Sequence, residues 1–412
     1  MHEVASNDTG QVRRHRPDYW LIAIAVILVA IGLTVVYAIS PALSATDGGS
    51  GAHYVSRQLI AVGLSIVAFW VTAKVPIKVW QRWQTPLLIL AAVGTLVALI
   101  TPVIPEYPAH RWIRLGGLSL QSVEVLKFSL LFWLGSFFAN RYQNGTLGDS
   151  KRTLYPLLAF ICVVGVVIAG IQSDFGSTVV IVAMTASMAF LTGMPIKRLM
   201  PFVAVLLIGA VLLIASTPYR LERLATYMHP ASNCLTTGYQ ACQALIAVGS
   251  GGVDGLGLGR SVQAYGYLPE AQDDSIFAIY AEKFGFIGSV LLLALFVTLF
   301  ARLRVILERA PDMFSKLIVA GVLAWLSTQA IINVGAMIGL LPLKGITLPF
   351  ISYGGTSVLF VGAALGLVFQ ISQYTSFSAR NAKSGEQRIN HEGSGNGRRI
   401  RRAYHPDLSS RT

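Results

Sequence analysis

The sequence predicts an all-α polytopic membrane protein, and its composition and hydropathy carry that prediction. Of its 412 residues, 54% are hydrophobic and only 12% are charged, and the mean hydropathy is +0.62. A soluble domain carries about 25% charged residues. Apolar runs recur along the chain, and each has about the length of a helix that crosses roughly 30 Å of hydrocarbon.

Ten apolar runs predict about ten transmembrane helices in a membrane domain that spans residues 19–375. The first run begins at Tyr19. It is too long for the apolar core of a signal peptide and has no small-residue cleavage site, so we expect it to be retained. The runs lie near residues 19–40, 58–75, 85–104, 121–139, 154–171, 175–193, 201–216, 275–301, 317–340 and 355–374.

The positions of lysine and arginine predict which side of the membrane each loop faces. If the N-terminal tail, 1–18, is cytoplasmic, most of the 32 Lys and Arg residues lie on the cytoplasmic side, as the positive-inside rule requires. The C-terminal tail, 376–412, is then also cytoplasmic. It is basic and rich in Gly and Ser, a composition typical of disorder. Its RRIRR cluster suits either contact with anionic lipid headgroups or a solubilising role.

Composition also excludes some classes of function. The net charge of +13 would suggest nucleic-acid binding in a soluble protein, but no nucleic-acid motif accompanies it, so we expect no nucleic-acid partner. The seven histidines are scattered, and the three cysteines form no CxxC or Cys/His cluster. A dedicated zinc or haem site is therefore not predicted.

The long loop between the seventh and eighth spans, 217–273, is predicted to lie on the outer side. It is rich in glycine and shows no domain of its own, and such loops are often functional. Its GLGLG segment has no preceding strand, so we interpret the loop as mobile or re-entrant rather than as a dinucleotide site. A disulfide between Cys234 and Cys242 is one alternative that the sequence leaves open.

Several charged residues lie within or beside the predicted spans. Glu124 and Lys127 are three residues apart, a spacing that places them on one helix face, either as a structural ion pair or facing a wet cavity. Asp174 lies where the sixth span begins and suits either helix capping or a cavity. Asp273 and Asp274 precede the eighth span.

Other polar groups belong to the same outer half of the predicted bundle. Glu282 follows Asp274 by an angle of about 80° around a helix, so the two carboxylates could line one groove. A Pro- and Gly-rich break between the last two spans would present Lys344 and Ser352 at membrane depth, which is tolerated where backbone is buried or lines a cavity. One outward-facing polar cavity explains these residues together. Its mixed charge suits a substrate with phosphate and with hydroxyls that need proton transfer.

The motifs that carry these residues resemble the SEDS family (shape, elongation, division and sporulation), the FtsW and RodA group of bacterial membrane proteins. The similarity is dispersed over about residues 19–375 and is closer to the division member than to the elongation member. It is most specific in the segments HRWIRLGGLSLQSVEVLK, QSDFGS, YRLERLATYMHP, GYQACQALIAVGSGGVDGLGLGRSVQAYGYLPEAQDDSIFAIYAEKFG and NVGAMIGLLPLKGITLPFISYGGTS.

The resemblance implies a peptidoglycan glycosyltransferase that polymerises lipid II at the outer face of the bacterial cytoplasmic membrane, at the division septum. It implies a class B penicillin-binding protein and other division proteins as partners, besides membrane lipids. A divalent cation, Mg²⁺ or Mn²⁺, is one alternative for the cofactor, and the identity of any metal ligands stays open.

The resemblance also assigns roles to single residues. Asp274 matches the catalytic aspartate, whereas Asp273 takes the place of a threonine in the family pattern. The substrate-binding candidates are Arg111, Glu124, Lys127, Asp174 and Ser352, which match family motifs, and Glu282, which follows from the spacing. Several neighbouring motif positions differ from the family pattern, among them Ala264 and Lys283, and the role of Lys283 stays open. Two other functions remain as alternatives, a lipid II flippase and a non-catalytic division scaffold.

Overall fold

The structure, a computed structural model, describes residues 12–46, 51–101, 110–115, 118–195, 197–198, 200, 204, 209, 211, 215, 234–236 and 238–376. Most of the predicted seventh span, 201–216, lies outside the described residues. The same holds for the first part of the long loop and for the predicted disordered tail after residue 376.

The described chain is mostly helical. Its helices are α1 Tyr19–Thr46, α2 His53–Lys74, α3 Ile77–Arg82, α4 Gln84–Ile100, α5 Ser122–Gln143, α6 Tyr155–Val164, α7 Phe175–Leu191, α8 Tyr239–Ser250, α9 Ile276–Arg309, α10 Met313–Met337 and α11 Gly355–Ile371. Two π-helical turns, Ser150–Leu154 and Gly165–Ile171, flank α6. Four short strands accompany the helices: β1 Val12–Arg14, β2 Trp112–Leu115, β3 Leu118–Gln121 and β4 Tyr374–Ser376.

The helical membrane fold is the one that the apolar runs predict. Within the described ranges, six helices are long and apolar enough to cross a membrane, and three shorter apolar helices join them. Their ends lie within several residues of the predicted runs, because each run stops where polar or helix-breaking residues begin. The sequence did not predict α8, whose 12 residues are too few to span a membrane.

Helix α10 lies at the centre of the bundle and packs against α5, α7, α9 and α11. On another side, α2 packs closely along α11. Gly362 and Gly366 of α11 allow this approach, because a β-carbon at either position would lie 2.1 Å from the hydroxyl oxygen of Ser65 or Thr72. Both hydroxyls donate to carbonyl oxygens of α11 at 2.8 Å. Small residues at four-residue spacing commonly bring membrane helices together in this way.

The two ends of the membrane domain meet on one face of the bundle. Strand β1 pairs antiparallel with β4, and Asp18, just before α1, forms an ion pair with Arg302 near the end of α9. The beginning of α9, where Asp274 lies, is therefore on the opposite face.

Helix α9 is interrupted at Gly285, where φ is 65° and ψ is −163°. The glycine-rich segment 251–257 fills the break with its own backbone. Phe286 N–H donates to Gly252 O at 2.9 Å, and Leu256 N–H donates to Glu282 O at 2.9 Å. The segment that we interpreted as mobile or re-entrant is thus hydrogen-bonded to the broken helix.

Candidate active site

Asp274 lies in the turn immediately before α9, half-buried, at one wall of a small cleft. Its Oδ1 atom is 3.3 Å from both Gln240 Nε2 and Ser275 Oγ, which donate to it. Asn333 of α10 donates from Nδ2 to the carbonyl oxygens of Asp274 and Ile346, each at 2.7 Å. Gln240 and Ser275 thus hold the carboxylate of Asp274, and Asn333 holds its backbone.

Ser352 anchors the same turn from the loop between α10 and α11. Its Oγ donates to Asp273 O at 2.6 Å and accepts from Leu348 N–H at 2.7 Å. The next residue, Tyr353, donates its N–H to Gln272 O at 2.8 Å. Because the hydroxyl is buried and has both a donor and an acceptor partner, the structure gives Ser352 a positioning role, and its predicted contact with substrate stays a prediction.

The cleft brings positive charge next to Asp274. It is lined by Asp274, Ile332, Asn333, Ala336, Met337, Lys344, Gly345 and Ile346. A β-carbon on Gly345 would lie 3.7 Å from both Arg111 Nη1 and Asp274 Oδ2, so the guanidinium and the carboxylate flank this glycine. Lys344 Nζ lies 4.9 Å from the centre of the Phe175 ring.

Arg111 is held in place by the turn before α7. Its Nε donates to Gln172 O at 3.0 Å, and its Nη2 donates to Ser173 O at 2.6 Å. Ser173 has a positive φ of 55°, an uncommon conformation for a residue other than glycine. The predicted site residue Arg111 therefore lies beside the Asp274 cleft with a fixed guanidinium, and its contact with substrate stays a prediction.

The surroundings of Asp274 bring the pKa of its carboxyl group close to neutral pH. Burial, the largest cause, and the charge of Glu270 raise the pKa of Asp274 to about 7, although the hydrogen bonds from Ser275 and Gln240 favour the ionised form. Burial, with the charges of Glu270 and Asp274, also raises the pKa of Asp273 well above its usual range. A carboxylate with a pKa near the working pH suits general-base catalysis.

Glu124 and Lys127 form the pair that their spacing predicts. Lys127 Nζ lies 2.7 Å from Glu124 Oε1, and both side chains are almost fully buried. Lys127 Nζ also lies 4.9 Å from the centre of the Trp325 ring in α10. The other carboxylate oxygen, Glu124 Oε2, is buried without a hydrogen-bond partner. The pair thus links α5 to the central helix, and its predicted contact with substrate stays a prediction.

This pair yields a stability prediction. Lys127→Met should lower the free energy of unfolding by about 3–5 kcal/mol, because it leaves the buried Glu124 carboxylate uncompensated. The double variant Glu124→Gln/Lys127→Met should recover most of that loss. Thermal unfolding of the detergent-solubilised proteins measures both effects, and equal destabilisation of the single and double variants would contradict the ion-pair account.

Asp174 caps the N-terminus of α7. Its two carboxylate oxygens accept from Ser177 N–H at 3.0 Å and from Ser177 Oγ at 2.9 Å, and the residue is buried. Of the two alternatives for this residue, the geometry supports capping, and contact with substrate stays a prediction.

Glu282 holds the outer loop rather than facing the cleft. Its carboxylate accepts from Val262 N–H at 2.8 Å, from Gln263 N–H at 3.1 Å and from the Ser261 hydroxyl. The neighbouring Lys283 donates from Nζ to Leu258 O at 2.8 Å, which gives it a structural role that the sequence left open. The two charged side chains therefore fasten the loop to α9, and a direct substrate contact by Glu282 stays a prediction.

Gln240 is a site residue that the sequence reasoning missed. It lies in the first turn of α8, between Cys234 and Cys242, which the structure joins in a disulfide. The available signal was a polar side chain on a short helix beside two cysteines in an outer loop. That signal could not show which residue the glutamine contacts.

The divalent cation raised by the resemblance finds no ligand set in the described part of the chain. No three His, Cys, Asp or Glu side chains there are arranged to hold a metal ion. Asp274 is instead held by neutral donors, Gln240 and Ser275. We therefore derive no step through a metal.

Comparison with known proteins identifies the family to which this site belongs. Residues 19–377 match the FtsW/RodA/SpoVE family model, which describes a cell cycle protein. The chain belongs to this family. The match spans the whole membrane domain and includes every candidate residue of the site.

Relatives with curated names support the family assignment. The chain is 40% identical over 366 residues to the probable peptidoglycan glycosyltransferase FtsW of Coxiella burnetii, covering 87% of this chain and 96% of the relative. It is 34% identical over 367 residues to the stage V sporulation protein E of Bacillus subtilis, covering 89% and 99%. The FtsW/RodA/SpoVE family relationship therefore extends over nearly the full length of both relatives.

Solved structures share the fold. One is described as "Structural coordination of polymerization and crosslinking by a peptidoglycan synthase complex"; a chain in it matches with a TM-score of 0.71 and 25% identity, covering 86% of this chain and 97% of that one. The rod shape determining protein RodA of Thermus thermophilus matches with a TM-score of 0.62 and 24% identity, covering 86% and 96%. The fold of the FtsW/RodA/SpoVE family is thus present in this chain.

Proposed function

We propose that this chain, a peptidoglycan glycosyltransferase that acts in cell division, polymerises lipid II with Asp274 as the general base. The observation that carries the proposal is the placement of Asp274. It is a half-buried carboxylate in a cleft, its pKa is raised to about 7 by burial and by Glu270, and it lies across Gly345 from the Arg111 guanidinium.

In the proposed step, Asp274 takes the proton from the 4-hydroxyl of the acceptor sugar. The hydroxyl oxygen attacks the anomeric carbon of the donor with inversion, and the bond to undecaprenyl pyrophosphate breaks. Pyrophosphate leaves with its negative charge already stable, so a second carboxylate acting as an acid is not needed, in contrast to glycoside hydrolysis. We assign to Arg111 and Lys344, which lie beside the cleft of Asp274, the role of offsetting the charge on the leaving group.

The proposed placement of the site is the outer face of the cytoplasmic membrane, with both termini in the cytoplasm. Pairing of β1 with β4 brings the two ends of the domain to one face of the bundle. The Asp18–Arg302 pair brings the end of α9 to the same face, so the start of α9 lies on the opposite face. Lysine and arginine favour the cytoplasm for the face with the termini. The Cys234–Cys242 disulfide suits an oxidising compartment on the site's side.

The proposed partners are lipid II as substrate and a class B penicillin-binding protein as the cross-linking enzyme. A matching chain belongs to a peptidoglycan synthase complex that coordinates polymerization with crosslinking, and FtsW is the name of several curated relatives. These relationships support assembly with division proteins at the septum.

The experiment that tests the function uses the purified protein in liposomes that contain fluorescent lipid II, with and without a class B penicillin-binding protein. A polymerase converts lipid II into glycan strands that resolve as a ladder on a gel. A flippase would move labelled lipid across the bilayer without forming polymer, and a scaffold would do neither. Absence of polymer in every condition would overturn the proposal.

The pKa of Asp274 predicts how the rate depends on pH. A general base acts in its ionised form, so the polymerisation rate should rise with pH through a midpoint of about 7 and then level off. The charged groups around it are the carboxylates of Glu270 and Asp273 and the cations of Arg111 and Lys344. Glu270→Gln removes a charge that raises this pKa and should move the midpoint to lower pH.

The matched control for this pH profile is Asp254→Asn, which removes an exposed carboxylate of the outer loop. Its midpoint should equal that of the wild type. A rate that is flat between pH 5 and 9, or a midpoint that Glu270→Gln moves upward, would contradict the assignment. This range spans the raised pKa of Asp274, about 7, and lies above the usual aspartate pKa of about 4, so a base with the usual pKa would give a flat profile.

A further inference from the structure

The amide of Gln240 reaches the proposed base directly. Its Nε2 atom lies 3.3 Å from Asp274 Oδ1 and 3.1 Å from Ser275 Oγ. A donor to a carboxylate stabilises the ionised form, which is the form that accepts a proton. The orientation of Gln240 therefore affects both the position and the proton affinity of Asp274.

The first turn of α8, which carries Gln240, follows an exposed turn of the outer loop. No side chain caps the helix at Gly238, and Leu235 is 94% exposed. Cys242 is buried, and α8 packs against α9 and α10. The disulfide between Cys234 and Cys242 thus ties the exposed turn to the buried side of α8. Its two cysteines lie on either side of Gln240 in sequence.

We propose that the Cys234–Cys242 disulfide and Gln240 together position Asp274: the bridge fixes the first turn of α8, and that turn aims the Gln240 amide at the carboxylate. Gln240 acts through Asp274 and does not need to touch the sugar. This inference deepens the proposed function and rests on Asp274 as the general base. It makes the oxidised state of the loop a condition for full activity near neutral pH.

Reduction of the disulfide in the folded protein tests this positioning of Asp274 without a mutation. Dithiothreitol supplies two electrons and two protons, so that the S–S bond breaks, two thiols form and the reagent closes into its own cyclic disulfide. With the bridge open, Gln240 donates to Asp274 for less of the time. The midpoint of the pH–rate profile should then rise by up to about one unit, which lowers the rate on the acidic limb by up to about tenfold and leaves the plateau unchanged.

Variants separate the effect of the disulfide from the effect of the Gln240 amide. Gln240→Ala should raise the midpoint with the bridge intact, and dithiothreitol should then cause no further shift. The double variant Cys234→Ser/Cys242→Ser should match the reduced wild type and should not respond to dithiothreitol. Cys162→Ser removes the exposed free thiol of α6 and should behave as the wild type in both states.

The proposal is supported if reduction and Gln240→Ala each raise the midpoint of the pH–rate profile and the two together raise it no further than either alone. An equal loss of rate at every pH would show a merely structural bridge and would overturn it, as would an unchanged profile after verified reduction. The proposed function fails by a different result, which is polymer formation by Asp274→Asn at the wild-type rate or no polymer from the oxidised wild type at any pH.

Discussion

Replacing Asp274 with asparagine should lower the rate of lipid II polymerisation by about 10²–10⁴-fold, the range that a positioned general base contributes. Asparagine has nearly the same shape, and its carbonyl oxygen can still accept from Gln240 and Ser275, which donate to Asp274 in the wild type. It cannot take the proton of the attacking hydroxyl. The fold should therefore persist while the chemical step slows, as measured by glycan formed per unit of inserted protein.

The matched control for this loss is Asp273→Asn, one residue earlier in the same turn. Asp273 is also half-buried, but it is absent from the cleft lining, and the structure uses its carbonyl oxygen, which accepts from Ser352 Oγ. We expect its variant to polymerise lipid II within a few-fold of the wild type. Full activity of Asp274→Asn, or an equally severe loss in Asp273→Asn, would contradict the assignment of the base.

Local patterns in the sequence predicted the features that depend on local spacing. The apolar run at 275–301 became α9, Ile276–Arg309, because burial in hydrocarbon forces the backbone of such a run to satisfy its own hydrogen bonds. The three-residue spacing of Glu124 and Lys127 became an ion pair at 2.7 Å, because such residues face each other on a helix.

The roles of the polar residues depended on partners far away in sequence, which spacing does not show. Asp174, Ser352 and Glu282 were all predicted to contact substrate. In the structure their oxygens bind protein groups: the first turn of α7, the carbonyl of Asp273 and the backbone of 262–263, respectively. A buried polar residue in a membrane domain must find a partner, and the sequence cannot tell a substrate partner from a backbone one.

The backbone contacts of the glycine-rich outer loop also could not be predicted from the sequence. Its composition indicated irregular structure but not the hydrogen bonds that insert it into the break of α9 at Gly285. Those bonds join residues about thirty positions apart, and loop-closure entropy opposes such contacts without fixing which ones form. Glycine content therefore indicated an irregular loop, and only the fold showed that the loop enters a break in α9.

Gly255→Ala should disrupt this insertion and reduce the polymerisation rate by about 10²-fold, the cost of displacing an active site by about 1 Å. A β-carbon at Gly255 would lie 2.3 Å from Lys283 O and 2.7 Å from Gly285 N. These are backbone atoms, so the loop must move away from α9. That movement breaks the bond from Leu256 N–H to Glu282 O and frees the segment of α9 that begins next to Asp274.

Gly257→Ala is a close control, because it separates collision from backbone strain. Gly257 has a φ of 82°, nearly the 84° of Gly255, but a β-carbon there would meet no atom within 4 Å. Both variants carry the cost of a left-handed alanine, about 1–2 kcal/mol, and only Gly255→Ala adds the overpacking cost of about 1–3 kcal/mol. Thermal unfolding and polymerisation assays should rank wild type above Gly257→Ala and Gly257→Ala well above Gly255→Ala. Equal behaviour of the two variants would mean that strain alone, and not the seating of the loop in the helix break, governs the site.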